Sequence, residues 1–220
     1  MNIKNLYIAY HFQKDTFKWL NEKEMIFEYN NYNHALETIE FLNKSGEYYI
    51  ERRYYENGNL QHEIPYKNGL IHGLKKYYYP NKNIWWKTPY KNGLIHGLKK
   101  SYYENGNIRH EVLYKNGKRC GLAKWCDKNG NVWSEVLYKN GQRHGLEKSY
   151  SENGNIWQEI LYKNGKMISE TLYKNGLKHG LEKSYRPNGS IYRETPYENG
   201  NRHGIEIFYS ENMYMPRNII

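Results

Sequence analysis

One tetrapeptide sets the frame for everything this chain can become. Tyr-Lys-Asn-Gly opens at Tyr66, Tyr90, Tyr114, Tyr138 and Tyr162, each 24 residues after the last. Tyr173 follows after 11 residues, and Tyr197 opens a Tyr-Glu-Asn-Gly variant another 24 residues on. A second set of turns is interleaved: Asn57-Gly58, Asn105-Gly106, Asn129-Gly130, Asn153-Gly154 and Asn188-Gly189, with Asn81-Lys82 in the equivalent place. Turn spacing thus alternates 11 and 13. A fixed period of this kind marks a repeat architecture. Asn-Gly tolerates the two positive φ values of a type I′ turn, the tight turn that suits twisted antiparallel strands. The intervening segments are too short for helices and suit strands. Residues 47 to about 213 therefore predict an antiparallel meander of about thirteen strands, roughly 60 Å long at about 4.8 Å per strand.

Two-residue turns fix register, so cross-strand partners can be computed. Around Asn105-Gly106, Lys100 should face Glu111, Tyr102 should face Arg109, and Leu98 should face Leu113. The same arithmetic pairs Arg52–Glu63, Lys124–Glu135, Lys148–Glu159 and Lys183–Glu194. It also pairs Tyr78–Trp85, Cys126–Trp133, Tyr150–Trp157 and Tyr185–Tyr192. One face should then carry an aliphatic, a charge-pair and an aromatic stripe. Each such pair contributes about 0.2–1 kcal/mol. Around Asn164-Gly165, Glu159 is expected to face Glu170, neutralised by Lys148 and Lys183.

One hairpin breaks the charge rule. Lys76 faces Lys87, beside Trp85 and Trp86. Like charges directly opposite are destabilising. Two readings stand: the lysines splay into water or reach neighbouring glutamates, or the site awaits an anion or an acidic partner residue. With Arg109, Trp133 and Trp157 these residues form the candidate partner-binding set. The tryptophans themselves either stack nucleic-acid bases or serve as the core of a thin sheet. The second is the expectation, because a single-layer sheet must cover its apolar face.

The unit Y-K-N-G-L-I-H-G-L-K-K-Y-Y-Y-P-N-K-N-I-W-W-K-T-P-Y, residues 66–90, resembles the bacterial variant of the MORN repeat, found in YwqK-type proteins that are often described as antitoxin components. The resemblance covers about residues 50 to 205. It implies a β-hairpin array and a binding role without catalysis, and names no partner. Cys120 departs from the His of the His-Gly pair and Cys126 from the stripe tyrosine. The 162–173 step lacks the His-Gly, and an odd strand there should swap the edge that carries the longer loops.

The net charge of +10 follows from this layout. Strand lysines are matched by glutamates, so the surplus sits in the turns. Lys67, Lys91, Lys115, Lys118, Arg119, Lys139 and Arg143 should line one edge. Such an edge could track a phosphate backbone, or serve as a solvated rim that prevents edge-to-edge pairing. An AT-rich coding sequence also enriches Lys, Asn, Ile and Tyr without any selection on binding.

The chemistry of catalysis is missing from the pattern. No phosphate loop, nucleophile elbow or paired catalytic carboxylates occur, so no catalytic residue and no cofactor is assigned. His72, His96, Cys120 and His144 form a column, but members about 9.6 Å apart cannot share a metal whose bonds are about 2.1 Å. Two cysteines in 220 residues fit a reducing compartment, and no signal-peptide core opens the chain, so a cytoplasmic location is expected.

Residues 1–46 predict a small α+β cap: strands at Leu6–Tyr10 and Met25–Tyr29, and a helix at His34–Asn43 with Asn33 as its N-cap. Residues 214–220 read as a tail that covers the far edge or frays. The expected function is non-enzymatic protein binding that neutralises an effector by surface occlusion. The effector would be a toxin or a nuclease, including a nucleic-acid-guided defence nuclease. The alternative is RNA or anionic lipid held on the basic edge.

Overall fold

The computed structural model describes residues 6–11, 16–21, 26–29, 48–55, 57–210 and 214–218. Its contacts divide the chain into two compact units, Met1–Lys118 and Arg119–Ile220. Every regular element among the described residues is a strand. The first unit carries β1 (Leu6–His11), β2 (Thr16–Asn21), β3 (Ile26–Tyr29), β4 (Tyr48–Tyr54), β5 (Leu60–Lys67), β6 (Leu70–Ile71), β7 (Gly73–Tyr78), β8 (Ile84–Lys91), β9 (Leu94–Ile95), β10 (Gly97–Tyr102) and β11 (Ile108–Lys115). From the boundary onward come β12 (Lys118–Cys126), β13 (Val132–Lys139), β14 (Gln142–Tyr150), β15 (Ile156–Lys163), β16 (Lys166–Lys174), β17 (Leu177–Lys178), β18 (Gly180–Tyr185), β19 (Ile191–Glu198), β20 (Asn201–Arg202), β21 (Ile205–Tyr209) and β22 (Tyr214–Asn218).

Within each unit consecutive strands pair antiparallel, which bears out the meander. The exception is at the start. β1 lies parallel to β4, with Leu6 beside Tyr49 and Tyr10 beside Arg53. The two expected N-terminal strands are present, and β2 is an additional one that pairs with both β1 and β3. The expected helix at His34–Asn43 lies outside the described residues. At the other end β22 pairs with β21.

The Asn-Gly turns are of two kinds. At Tyr-Lys-Asn-Gly, Lys67 faces Leu70, and both Asn68 (φ 52°) and Gly69 (φ 72°) are left-handed. That is the type I′ turn the sequence predicts. The other kind is longer. Gly106 N–H bonds to Tyr103 C=O, and Tyr103 N–H bonds to Asn107 C=O, so Glu104-Asn105-Gly106 is a three-residue loop in which only the glycine is left-handed. The Asn105 side chain accepts the Asn107 N–H at 3.1 Å and stabilises it.

This difference corrects the predicted aromatic pairs. The longer loop shifts the register by one, and a bulge immediately inside the strand shifts it back. Tyr102 therefore faces Ile108, whereas Lys100 faces Glu111 as predicted. Likewise Tyr78 faces Ile84, Cys126 faces Val132, Tyr150 faces Ile156 and Tyr185 faces Ile191. Trp85, Arg109, Trp133, Trp157 and Tyr192 are the extra residues of these bulges. The predicted Glu159–Glu170 pair is also corrected. A bulge between Leu161 and Tyr162 sets Glu159 against Thr171 and Glu170 against Ile160, so the two carboxylates avoid each other.

The core is not the face the sequence pointed to. The leucines of the aliphatic stripe, Leu74, Leu98 and Leu113, are each 40% exposed. The buried row has the opposite parity: Ile64, Thr88 and Val112 in the first unit, and Ala123, Val136 and Thr195 in the second. β-Branched residues dominate it, as a pleated and crowded surface favours. Tyrosines of the tetrapeptide flank this row; Tyr138 and Tyr162 are buried.

Candidate binding surface

Within each unit, up to β15, the charge stripe lies on the face away from the buried row, because neighbouring residues of a strand point to opposite sides; between β15 and β16 the faces exchange, with Glu159 opposite the buried Thr171 and Glu170 opposite Ile160. In the second unit it alternates. Lys124 faces Glu135, Glu135 faces Lys148, and Lys148 faces Glu159. Each glutamate also receives a hydroxyl from further along the chain: Tyr150 donates to Glu135 at 2.6 Å and Tyr173 to Glu159 at 2.6 Å. In the first unit Arg52 reaches Glu63 at 2.8 Å and Tyr78 donates to the same carboxylate at 3.0 Å. Burial raises the Glu63 carboxyl, but the bonds from Arg52 and Tyr78 outweigh it and leave the group below its ordinary value. Burial and Glu63 together push the Tyr78 hydroxyl up to about 12.

At Lys87 the pattern fails. Glu63, Glu111, Glu135, Glu159 and Glu194 hold the same place in their repeats. Lys87 faces Lys76 on one side and Lys100 on the other. Both outer lysines have partners: Lys76 lies 3.3 Å from Glu63, and Lys100 lies 3.0 Å from Glu111. Lys87 has no carboxylate partner among the described residues, and its ammonium sits 5.5 Å from the centre of the Tyr102 ring. β7, β8 and β10 contain no Asp or Glu at all.

The two tryptophans beside Lys87 part company. Trp86 faces Tyr77 across the strands and stacks on its ring at 4.1 Å, with the ammonium groups of Lys75 and Lys99 5.7 Å and 5.8 Å from its centre. Alternation places it on the buried-row side, away from Lys87. Trp85, in the bulge, is 42% exposed and meets Tyr79 at 5.8 Å.

The other bulge residues share this exposure. Arg109 lies over the Tyr103 ring. Trp133 and Trp157 are 49% and 44% exposed. The sequence expectation that these tryptophans form the core is thus corrected. The bulge holds each beside a turn, facing solvent, and the signal that finds them is the residue after the Ile or Val that follows Asn-Gly-Asn, or Asn-Lys-Asn at Trp85.

The residues predicted for a basic edge are exposed: Lys67, Lys91, Lys115 and Lys118 in the first unit, and Arg119, Lys139 and Arg143 in the second. Two of these are held. Arg119 lies over Tyr138 and Arg143 over Tyr162. Successive type I′ turns are also tied together, since Gly93 N–H bonds to Ile71 C=O and Gly165 N–H to Arg143 C=O. The histidine column works on these ties. His72 Nδ1 lies 3.1 Å from Asn92 Oδ1, and His144 Nδ1 accepts the Asn164 N–H at 3.4 Å. After the short step the edges swap within the second unit. Lys166 donates to Pro187 C=O, beside a three-residue turn, and Gly200 bonds to Lys178.

No helix among the described residues is long and apolar enough to cross a membrane. The profile of the MORN repeat variant matches residues 50–68, 71–92, 95–116, 119–140, 143–164, 162–175 and 178–199. No curated protein matches the chain.

Proposed function

Since the chain belongs to the MORN repeat variant family, whose repeats are protein- or membrane-binding modules without catalytic machinery, we propose that it binds a protein effector and neutralises it by covering its working surface. The effector class is a toxin or a nuclease, nucleic-acid-guided defence nucleases included. The observation that carries this reading is the set of exposed tryptophans, Trp85, Trp133 and Trp157, fixed in backbone bulges. Tryptophan dominates binding hot spots, and a preset backbone reduces the ordering cost of association. Half-exposed leucines beside charged stripe residues supply the apolar and polar parts of a protein interface.

Affinity capture from the native host, read by mass spectrometry and nucleic-acid detection, tests the proposal. One stoichiometric protein should be recovered, its activity should fall when purified chain is added, and Trp133→Ala with Trp157→Ala should abolish capture. RNA recovered alone at low salt and lost at moderate salt would replace this reading with binding along the basic edge.

A further inference from the structure

We propose that Lys87 and Tyr102 form a docking point for an acidic side chain of a protein partner. This deepens the protein-binding reading above and rests on it.

Lys87 displaces a glutamate of the stripe. Wherever the stripe carries a glutamate, it faces a basic residue on a neighbouring strand and, in four described cases, its carboxylate accepts from a tyrosine hydroxyl fifteen residues later. Tyr78 reaches Glu63, Tyr150 reaches Glu135, Tyr185 reaches Glu170 and Tyr209 reaches Glu194. Tyr102 stands fifteen residues after Lys87 and occupies the same place. Among the described residues nothing accepts its hydroxyl proton, and Lys87 has no ion pair; the Lys87 ammonium instead sits 5.5 Å from the centre of the Tyr102 ring. Basic neighbours are in place, with Lys76 and Lys100 directly opposite. The cradle for a carboxylate is therefore built and its internal occupant replaced by a cation.

A carboxylate from outside would satisfy both groups at once. It would accept from the Lys87 ammonium and the Tyr102 hydroxyl and relieve the repulsion among three lysines on adjacent strands. A charge-assisted bond of this kind is stronger than a neutral one. Trp85, exposed in the bulge two residues before Lys87, offers an apolar contact next to it. One ammonium and one hydroxyl side by side suit the two oxygens of a single carboxylate, which favours an acidic protein segment over a phosphate backbone. Of the three stripe lysines the outer two are already paired to Glu63 and Glu111, so a single ammonium is left for a ligand here, whereas a phosphate backbone is better matched by the longer series of exposed basic residues in the turns.

The test uses the intact chain and a short labelled oligoglutamate peptide at low and moderate salt. Lys87→Glu should weaken peptide binding by about tenfold, and the charge-matched control Lys128→Glu should leave it within about twofold. Tyr102→Phe should weaken it several-fold with the melting temperature unchanged. Lys87→Gln serves as a second variant, and thermal melts confirm that each is folded. Equal losses in the Lys87 and Lys128 variants would overturn the proposal by reducing the effect to net charge. So would a larger Lys87→Glu loss for an RNA oligonucleotide or for anionic vesicles than for the peptide. Capture of a host protein that is indifferent to Lys87→Glu would leave the proposed function standing and remove this site.

Discussion

The same stripe is written differently in the two units. From Lys124 to Glu159 cation and anion alternate strand by strand. Between Glu63 and Glu111 three lysines stand in a row. Yet the backbone register is the same, with the stripe residue five places inside the tetrapeptide-side turn in both. Ion pairs therefore do not set the register. The turns and the buried row set it, since a one-residue slip would carry Thr88 or Val136 to the exposed side. A stripe that is not needed for register is free to vary, and the first unit is where it varies.

The largest effect should come from copying the first unit's arrangement into the second. Glu135→Lys would put three lysines in a row and remove the acceptor of the Tyr150 hydroxyl. A loss of about 2–3 kcal/mol is expected from urea unfolding. A loss under about 0.5 kcal/mol would mean that like charges are harmless here. Next is the turn that lacks its glycine. Lys82 holds φ 74°, where Gly130 and Gly154 serve the other unit. Lys82→Gly should add about 1 kcal/mol by relieving the left-handed side chain, seen as a raised midpoint with an unchanged denaturant slope. Lys87→Glu should restore alternation and give Tyr102 an acceptor. A gain of about 0.5 kcal/mol that shrinks in high salt is expected.

The smallest change concerns alkaline pH. Burial, then the bond to Glu135, pushes Tyr150 up to about 12. A folded value above the unfolded one contributes stability that is complete below pH 10 and lost as the pH rises toward 12. Tyr150→Phe should make that alkaline loss shallower, measured as melting temperature against pH. An unchanged slope would show that the hydroxyl–carboxylate bond does not contribute.

The strands, the type I′ turns and the charge register were legible because they follow from spacing. The aromatic pairs were not, although they came from the same arithmetic. The three-residue loop and the bulge beside it cancel, so Lys100–Glu111 is found and Tyr102–Arg109 is missed. The cue was the residue after the glycine. Asn59 and Asn83 donate side-chain bonds to Pro80 and Glu104 C=O, an interaction that spacing does not encode. The core was misread for a related reason: Leu98 and Leu113 are more hydrophobic than Thr88, but crowding by neighbours decides burial in a thin sheet. Lys87 was legible as an anomaly from sequence; its idle tyrosine was visible only in the structure.

The short step between Tyr162 and Tyr173 behaves like a parity bit. Adding or removing a 24-residue block leaves every later loop on its original side. Adding or removing the 11-residue block sends all of them across. Recombination between repeats can thus lengthen or trim this protein without disturbing its surface, whereas a single-strand slip would invert everything downstream. A deletion of residues 163–173 would, in this sense, rotate the C-terminal hairpins by half a turn, exchanging their edges and their faces together without changing one of their side chains.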